Sequence, residues 1–432
     1  MIYRLPEEVL CSIFEMIVAN LWYKLHPSFA DDVGPEAPDL KLLRVQPFIL
    51  AAVSRVWRTV ARNYPPLWRR VVLDPIIDVD NSGAWASYIA LLDELSKQTP
   101  TDMVVYLSPI DAQDPMRGSL ARLAERARSM LLIGSKYTSR WDLDCFHLMT
   151  GSGGRHLESF VLRPRHTLHG TRYQPKFFPE VNKLRTLELD DLMIPWSERD
   201  LASVREAKIV LSWRMQLTPT SWQRIFAAIP NAHALFLTLG TMNLPETISQ
   251  SDLITVSGVR DLVIRGSNER QAGLLRVPQV ERVQLEYLDW AALAGHLHDS
   301  LGQSGAECLT KITVVNSSFN VDVARGLASI GTLEELDIVE CGIQSGFFQA
   351  LGPDKCPNLR EFKYRRLSEA EESGSEPGQP NPGLAEDLFD FVSRRVNANG
   401  RLQVVSVPGW LKQWRNINVD EMQSKIDLLL KR

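Results

Sequence analysis

The sequence has no long apolar run, no large excess of either charge and no paired cysteines, and each absence excludes a class of protein. No stretch approaches the ~20 apolar residues of a membrane-spanning helix, and the charged pair Glu7-Glu8 comes so early that we expect no signal peptide. With 48 basic and 52 acidic residues the net charge is only −4, so nucleic acid and membrane surfaces are not expected partners. The five cysteines are scattered without a C-x-x-C pair, which indicates reduced core thiols in the cytoplasm or nucleus rather than a zinc site.

Motifs of catalysis and cofactor binding are missing as well. The glycine-rich segment Gly151–Gly154 lacks the lysine of a phosphate loop and does not match the three-glycine dinucleotide fingerprint, so it indicates a loop. No G-x-S-x-G nucleophile elbow occurs. His296 and His298 face opposite ways on a strand and lie about 200° apart on a helix, which makes them a poor metal site alone. We therefore predict a non-catalytic protein without cofactor or metal, and an autonomous enzyme is the weakest alternative.

The N-terminal segment carries helix signals. Pro6 suits the first turn of a helix because its missing N–H has no partner there, and Glu7 and Glu8 then lie where the helix dipole favours negative charge. A second helix is predicted from Pro47 onward, ended by Pro65-Pro66, and residues 22–46 between the two helices indicate a loop insertion with space for a short helix near Leu40–Leu43. Apolar stripes support both helices: Val9, Leu10, Ile13, Phe14 and Ile17 in the first, and Phe48, Ile49, Ala52, Val53, Val56, Trp57 and Val60 in the second.

This segment resembles the F-box, in the form common in mushroom-type fungal proteins. The likeness lies in Leu5–Leu10, Ile13-Phe14, Ala52–Arg58 and Pro65–Trp68. It departs from the family in the insertion and in Ser54, where many members have cysteine. The resemblance implies that this segment binds a Skp-type adaptor, and through it a cullin and a RING protein. The implied contacts are Leu5, Pro6, Val9, Leu10, Ile13, Phe14, Val53, Arg55, Val56 and Trp57. The alternative is a plain helical cap that seals the end of the following body.

The pattern apolar-x-x-apolar-x-apolar recurs ten times in the rest of the chain. Successive first positions are 27, 20, 28, 27, 21, 29, 24, 26 and 43 residues apart, and all but the last step fit the period of leucine-rich repeats. The first positions are Leu157, Leu184, Val204, Ala232, Val259, Val280, Leu309, Leu333, Leu359 and Leu402. Helical stripes lie between several of these strands, so the pattern predicts an α/β repeat solenoid of strand-plus-helix units, preceded by a small all-α F-box.

The predicted organisation is an F-box over residues 1–68 and a leucine-rich-repeat-like body over residues 69–432. Earlier strands are predicted at 71–73, 103–107 and 141–143, with helices at 84–97 and 117–132 between them. Residues 368–383 carry four acids and three prolines and predict a mobile loop. A helix at 419–430 is expected to close the array.

Two spots on the predicted concave face are candidates for binding an unknown target protein. Phe236 and Val263 are expected to form an apolar spot, and Glu335, Asp337 and Glu340 an acidic spot that suits a basic peptide. The alternative is a solvated strand face with incidental clustering. Two functions fit these features: the substrate receptor of a Skp–cullin–F-box ubiquitin ligase, or an F-box and repeat scaffold that binds proteins without ubiquitination.

Overall fold

The chain divides into two compact units, Met1–Ala207 and Lys208–Arg432. The computed structural model describes residues 5–25, 38–73, 82–107, 116–134, 149–151, 154–163, 181–190, 201–210, 218–238, 253–266, 274–302, 307–352, 355–365, 383–399, 402 and 404–406. Both units are built from parallel strands and helices, and a small all-α segment precedes the first strand. The predicted fold class is therefore confirmed: it is an α/β repeat structure of the leucine-rich-repeat type.

The N-terminal helical segment, residues 5–68, has three helices and a final 3-10 turn. These elements are α1 (Glu7–Leu25), α2 (Pro38–Ala52), α3 (Arg55–Asn63) and the turn Pro65–Trp68. The predicted loop over 22–46 is wrong at both ends because α1 continues to Leu25 and α2 begins at Pro38. The helix suspected near Leu40–Leu43 is thus part of α2, and residues 26–37 lie outside the described part of the chain.

The prediction of one continuous helix from Pro47 to Val60 is also wrong. Pro47 lies inside α2, and the helix breaks at Val53-Ser54. Ser54 has extended backbone angles (φ −158°, ψ 170°), and its hydroxyl accepts a hydrogen bond from the Trp57 N–H at 3.1 Å. Serine is a preferred N-cap because its side chain satisfies an N–H that the first helical turn leaves unpaired. Ser54 therefore separates the two helices and caps the first turn of α3.

Aromatic side chains hold the helical segment together and join it to the next helix of the chain. Phe14 is fully buried and its ring lies 5.1 Å from that of Trp57. Phe48 packs on Trp68 at 5.2 Å and on Tyr88 of α4 (Ser82–Ser96) at 6.0 Å. The Trp68 indole N–H donates to the Ala61 carbonyl at 2.7 Å, so this buried ring leaves no unsatisfied polar atom.

A chain of polar contacts joins the helical segment to the first strands. Glu15 of α1 accepts hydrogen bonds from Tyr64 (2.9 Å) and Arg69 (3.1 Å). Asp102, which is buried, lies 3.8 Å from Arg69 and receives a bidentate contact from Arg128 at 2.8–3.1 Å. Burial, together with the hydrogen bond donated to Glu15, raises the pKa of Tyr64 to about 12. The segment is therefore packed into the first unit rather than tethered to it.

The first unit continues with parallel strands that follow one another in chain order. The strands at 71–73 and 103–107 and the helix at 84–97 are confirmed, whereas the strand at 141–143 lies outside the described residues. The predicted helix at 117–132 is wrong in its second half: α5 ends at Glu125 and a strand follows. The strands are β1 (Arg70–Leu73), β2 (Thr101–Leu107), β3 (Ala127–Gly134), β4 (Ser159–Arg163) and β5 (Thr186–Asp190), with α5 at Met116–Glu125, and the division between the two units falls within β6 (Glu206–Val210).

The second unit repeats the same ladder with seven parallel strands in chain order. They are β7 (Ala234–Thr238), β9 (Asp261–Arg265), β11 (Arg282–Glu286), β12 (Lys311–Val315), β14 (Glu335–Val339), β16 (Glu361–Arg365) and β17 (Val404–Ser406). Four two-residue strands, β8 (Ile254–Thr255), β10 (Leu275–Arg276), β13 (Ser318–Phe319) and β15 (Gly342–Ile343), pair as β8 with β10 and β13 with β15. The helices are α6 (Pro219–Ala228), α7 (Trp290–Gly295), a π-helix (His296–Gly302), α8 (Val321–Ala328), α9 (Phe347–Ala350) and α10 (Gly383–Asn399).

All ten predicted repeat strands are confirmed, and the first position of every pattern match is buried. Alternate strand residues such as Ile312 and Val314 are buried too, while Lys311 and Thr313 between them stay partly exposed. This alternation follows from the two-residue period of a strand. One face of each repeat strand in the second unit thus joins the core, and the other carries the charged and variable side chains.

Helix α10 was not predicted, and it covers the last repeats of the second unit. Its first residue, Gly383, ends the predicted mobile loop, and the rest of that loop and the helix predicted at 419–430 lie outside the described residues. Phe391 of α10 packs on Phe348 at 5.5 Å and on Phe362 at 5.8 Å. Arg395 is 3% exposed and donates to the carbonyls of Cys356 (3.0 Å), Lys355 and Gly352 (3.4 Å).

Arg395→Met is expected to lower the free energy of unfolding by about 2 kcal/mol because three backbone carbonyls lose a buried donor. The apolar stem is kept by methionine, so the loss reports the hydrogen bonds rather than packing. Arg394→Met is the matched control: Arg394 is exposed and its side chain bonds the Asp390 carbonyl within the same helix. Urea unfolding measures both, and a control variant as destabilised as Arg395→Met contradicts this role for Arg395.

Candidate functional site

The ten residues proposed for adaptor binding divide into an exposed group and a buried group. Leu5, Val9, Val53 and Val56 are 37%, 41%, 53% and 45% exposed, and Pro6 and Arg55 are exposed beside them. Ile13 and Trp57 are half-buried. Leu10 and Phe14 are 1% and 0% exposed, so both belong to the core of the helical segment. A fully buried side chain offers no surface to a partner, so Leu10 and Phe14 do not belong to the exposed contact surface.

Sequence reasoning missed three exposed apolar residues on the same helices. Met16 on α1 is 61% exposed, and Leu42 and Ile49 on α2 are 39% and 48% exposed. Their helical spacing was the available signal: Val9 and Met16 lie seven residues apart on α1, as Leu42 and Ile49 do on α2. We call the full set the N-terminal apolar surface: Leu5, Val9, Met16, Leu42, Ile49, Val53 and Val56.

The N-terminal apolar surface is unusual within this chain. It holds seven of the eleven large hydrophobic side chains that are exposed among the described residues. The three helices that carry it pack against one another, and Glu7 and Glu8 at the start of α1 are exposed beside it. A concentration of exposed apolar side chains on one helical segment is typical of a protein-interaction site, because contact of such side chains with water is unfavourable.

Nearby, the Cys11 thiol lies half-buried on α1. Its pKa is raised, first by burial and then by the charges of Glu7 and Glu8. Cys11, Cys308, Cys341 and Cys356 are free thiols, of which Cys341 and Cys356 are buried and Cys308 is exposed. The expectation of core thiols therefore holds for Cys341 and Cys356 and fails for Cys308.

The apolar spot predicted on the repeat strands is brought together by the sheet. Phe236 of β7 and Val263 of β9 are register partners, and both are partly exposed. The Lys208 ammonium lies 5.2 Å from the centre of the Phe236 ring, and the Arg265 guanidinium lies 6.0 Å from it. Arg265 also lies 5.0 Å from the ring of Tyr287, which is 53% exposed. Cations therefore lie against the edge of the apolar spot through cation–π contacts.

The acidic spot predicted at Glu335, Asp337 and Glu340 is wrong as a site of surplus negative charge. Glu335 forms an ion pair with Lys311 at 2.8 Å, and Asp337, which is 6% exposed, forms one with Arg365. Glu340 lies one residue past β14 in the left-handed region (φ 54°), outside the strand face. Neighbouring strands supply the neutralising cations, so the sequence of β14 alone could not reveal them.

Asp337→Ala is expected to lower the free energy of unfolding by about 1–2 kcal/mol, because it leaves Arg365 without a buried hydrogen-bonded carboxylate. Glu335→Ala is expected to change it by less than about 0.5 kcal/mol, since both partners of that pair are more than a third exposed. Chemical denaturation of the two variants side by side measures the difference. Equal losses for both would show that burial does not distinguish the two pairs.

Similar ion pairs lie on other strands of the second unit. Asp261 accepts hydrogen bonds from Arg282, which hold the pKa of that carboxyl below its usual value against the opposing effect of burial. Arg265 pairs with Glu286 at 2.9 Å, and Lys363 pairs with Glu361 at 2.6 Å. Because the pKa of Asp261 is lower in the folded chain, its stabilising effect is present at neutral pH and is lost as the pH falls below 3.8.

Two further features, a metal-binding cluster and a membrane-spanning helix, are absent from the described residues. Within them, no cluster of three or more histidine, cysteine, aspartate or glutamate side chains could hold a metal ion. None of the helices among the described residues is long and apolar enough to cross a membrane. The candidate sites are therefore two surfaces, one on the N-terminal helices and one on the strand face of the second unit.

The chain is similar to known proteins in its fold only. No family model matches the chain, and no curated protein matches it. Among solved structures, it is similar to the leucine-rich repeat-containing protein LegL7 from Legionella pneumophila (12% identity, 83% of this chain and 97% of that chain, TM-score 0.36). It is also similar to an internalin from Listeria monocytogenes (9% identity, 67% of this chain and 87% of that chain, TM-score 0.25). TM-scores this low carry no conclusion about function, and the fold assignment rests on the strand ladder itself.

Proposed function

We propose that the chain is the substrate receptor of a Skp–cullin–F-box ubiquitin ligase. In this proposal the N-terminal helical segment is an F-box that binds a Skp-type adaptor, and through it a cullin and a RING protein. The strand face of the second unit holds the target protein for ubiquitin transfer in the cytoplasm or nucleus. The chain itself supplies no catalytic residue. The observation that carries the proposal is the N-terminal apolar surface.

The chemistry of that surface supports a protein partner. Val53, Val56 and Ile49 present branched apolar side chains whose burial is worth about 1.5–3 kcal/mol each when complete. The same three helices carry the Leu-Pro start and the Arg-x-Trp-Arg sequence that resemble an F-box. A plain helical cap, the alternative, buries its apolar stripe against its own body, whereas these side chains remain exposed.

The attachment of the helices to the first strands suits a receptor. Glu15 on α1 is held by Tyr64 and Arg69, and Arg69 approaches Asp102 of β2. An adaptor bound to the helices is therefore connected to the strands of the first unit through fixed contacts. These contacts support a helical segment that presents the adaptor as part of the first unit rather than as a separate appendage.

Co-expression of the full chain with a Skp-type adaptor, followed by size-exclusion chromatography, tests the proposal. We expect a stable complex with one copy of each protein. Separate elution of the two proteins overturns it, and a self-associated chain that ignores the adaptor shows that a second copy covers the apolar surface instead. Addition of the cullin, RING protein and charged ubiquitin-conjugating enzyme then separates a ligase receptor from a scaffold that binds the adaptor without ubiquitin transfer.

A further inference from the structure

On the partly exposed strand face of the second unit, acidic and basic side chains neutralise one another in ion pairs. On β9, β11, β12, β14 and β16 this face carries five carboxylates and five cations, and each carboxylate has its own basic partner. The pairs are Asp261 with Arg282, Glu286 with Arg265, Glu335 with Lys311, Asp337 with Arg365 and Glu361 with Lys363. The side chains that could attract a charged ligand therefore already form ion pairs. Such a ligand must break one of these pairs before it can form an ion pair of its own.

An uncharged row crosses the same face. Phe236, Val263, Gln284 and Thr313 are successive register partners on β7, β9, β11 and β12. All four side chains are partly exposed. Neighbouring strands lie about 4.8 Å apart, so the row is about 14 Å long, which matches about four residues of an extended peptide at 3.3 Å each.

Closed ion pairs border the uncharged row on both sides. Asp261 and Arg282 occupy the preceding row of β9 and β11, and Arg265 and Glu286 occupy the following row of the same strands. At the β7 end, Phe236 and Val263 are the two apolar side chains of the row, and the Lys208 ammonium and the Arg265 guanidinium lie 5.2 Å and 6.0 Å from the centre of the Phe236 ring. The row thus offers apolar contact at one end and amide and hydroxyl hydrogen bonding at the other.

We infer that the uncharged row binds an extended, uncharged segment of the target protein, with an apolar side chain placed against Phe236 and Val263. This inference rests on the proposed function, since it names the kind of segment that the receptor recognises. Charge complementarity favours an uncharged segment. The acidic and basic side chains that border the row are already paired with each other, so they offer no opposite charge to a basic or acidic segment. Specificity then comes from rejection of charged side chains as much as from apolar contact.

A random dodecapeptide library displayed on phage, panned on the immobilised full chain, tests the inference. We expect the enriched sequences to share apolar residues within a stretch of about four positions that lacks Lys, Arg, Asp and Glu. A synthetic peptide of the enriched sequence is expected to keep its Kd within about twofold between roughly 0.1 M and 0.5 M NaCl, because screening acts on exposed charges.

Val263→Glu is expected to raise the Kd of that peptide at least about tenfold, since the variant places an unpaired carboxylate in the row. The matched control is the double variant Lys311→Gln with Glu335→Gln, which removes a closed pair beside the row and is expected to leave the Kd unchanged. A charged consensus, a strongly salt-dependent Kd, unaltered binding to Val263→Glu, or no enrichment at all overturns the inference. Adaptor co-elution is measured on the same preparations, so loss of peptide binding with the adaptor complex intact counts against the inference alone.

Discussion

Replacement of Val53 and Val56 by glutamate is expected to weaken binding of a Skp-type adaptor by about 100-fold or more. The two valines are 53% and 45% exposed, and their burial in a complex is worth a few kcal/mol in total. Glutamate removes that gain and adds two carboxylates that lose water without gaining partners. Because both side chains are exposed in the free chain, the fold of the helical segment is expected to stay intact, and isothermal titration calorimetry measures the loss.

Val404→Glu is the matched control for this variant. Val404 lies on β17 of the second unit, is 39% exposed, and undergoes the same chemical change. We expect its adaptor affinity to equal that of the unchanged chain. A similar loss in both proteins would show that added charge, rather than the N-terminal apolar surface, causes the effect. Unaltered affinity in the double valine variant would remove these two residues from the interface.

Gly326→Val is expected to cost about 3 kcal/mol of unfolding free energy, the upper end of the usual range for overpacking. Gly326 lies inside α8, where glycine is normally about 1 kcal/mol worse than alanine, so a specific contact must explain its presence. A Cβ atom at this position would lie 2.8 Å from Leu297 Cβ and 3.3 Å from the Ala294 carbonyl. Helix α8 therefore packs against α7 and the π-helix at a distance that only glycine allows.

Gly331→Val tests whether this cost comes from the contact or from the loss of a glycine. No atom lies within 4 Å of a Cβ built on Gly331, and its φ angle does not demand glycine. We expect thermal unfolding of this variant to stay within about 0.5 kcal/mol of the unchanged chain. A Gly326→Val variant of equal stability would contradict the close packing of the two helical elements.

The repeat strands could be predicted from the sequence because a single local rule generates them. Residues such as Leu309, Ile312 and Val314 must enter one core, and the two-residue alternation of a strand places them there. The same rule did not predict strand β3. Its apolar run, Met130–Ile133, follows α5 so closely that periodicity could not separate a strand from a longer helix, and pairing with β2 and β4 decides the outcome.

Other features could not be predicted because they depend on partners that are distant in sequence. Asp337 and Arg365 are 28 residues apart, and only the register of β14 with β16 brings them together. On α1, Val9, Leu10 and Phe14 belong to one apolar stripe in the sequence, and only the fold shows that Leu10 and Phe14 are buried while Val9 is exposed. Helix α10 is a different case, since Leu388, Phe391 and Val392 form a helical stripe in the sequence, next to the acidic, proline-rich segment, that is sufficient to predict a helix.

Hydrogen exchange of the full chain, measured by mass spectrometry with and without the adaptor, tests the central claim most directly. If the N-terminal apolar surface is the docking site, amide exchange is expected to slow at residues 5–16 and 49–57 when the adaptor is added. The strands of the second unit are expected to exchange at unchanged rates. Protection confined to the second unit, or no protection at residues 5–16 and 49–57 in a saturated mixture, would contradict the assignment of the N-terminal helices as the adaptor-binding module.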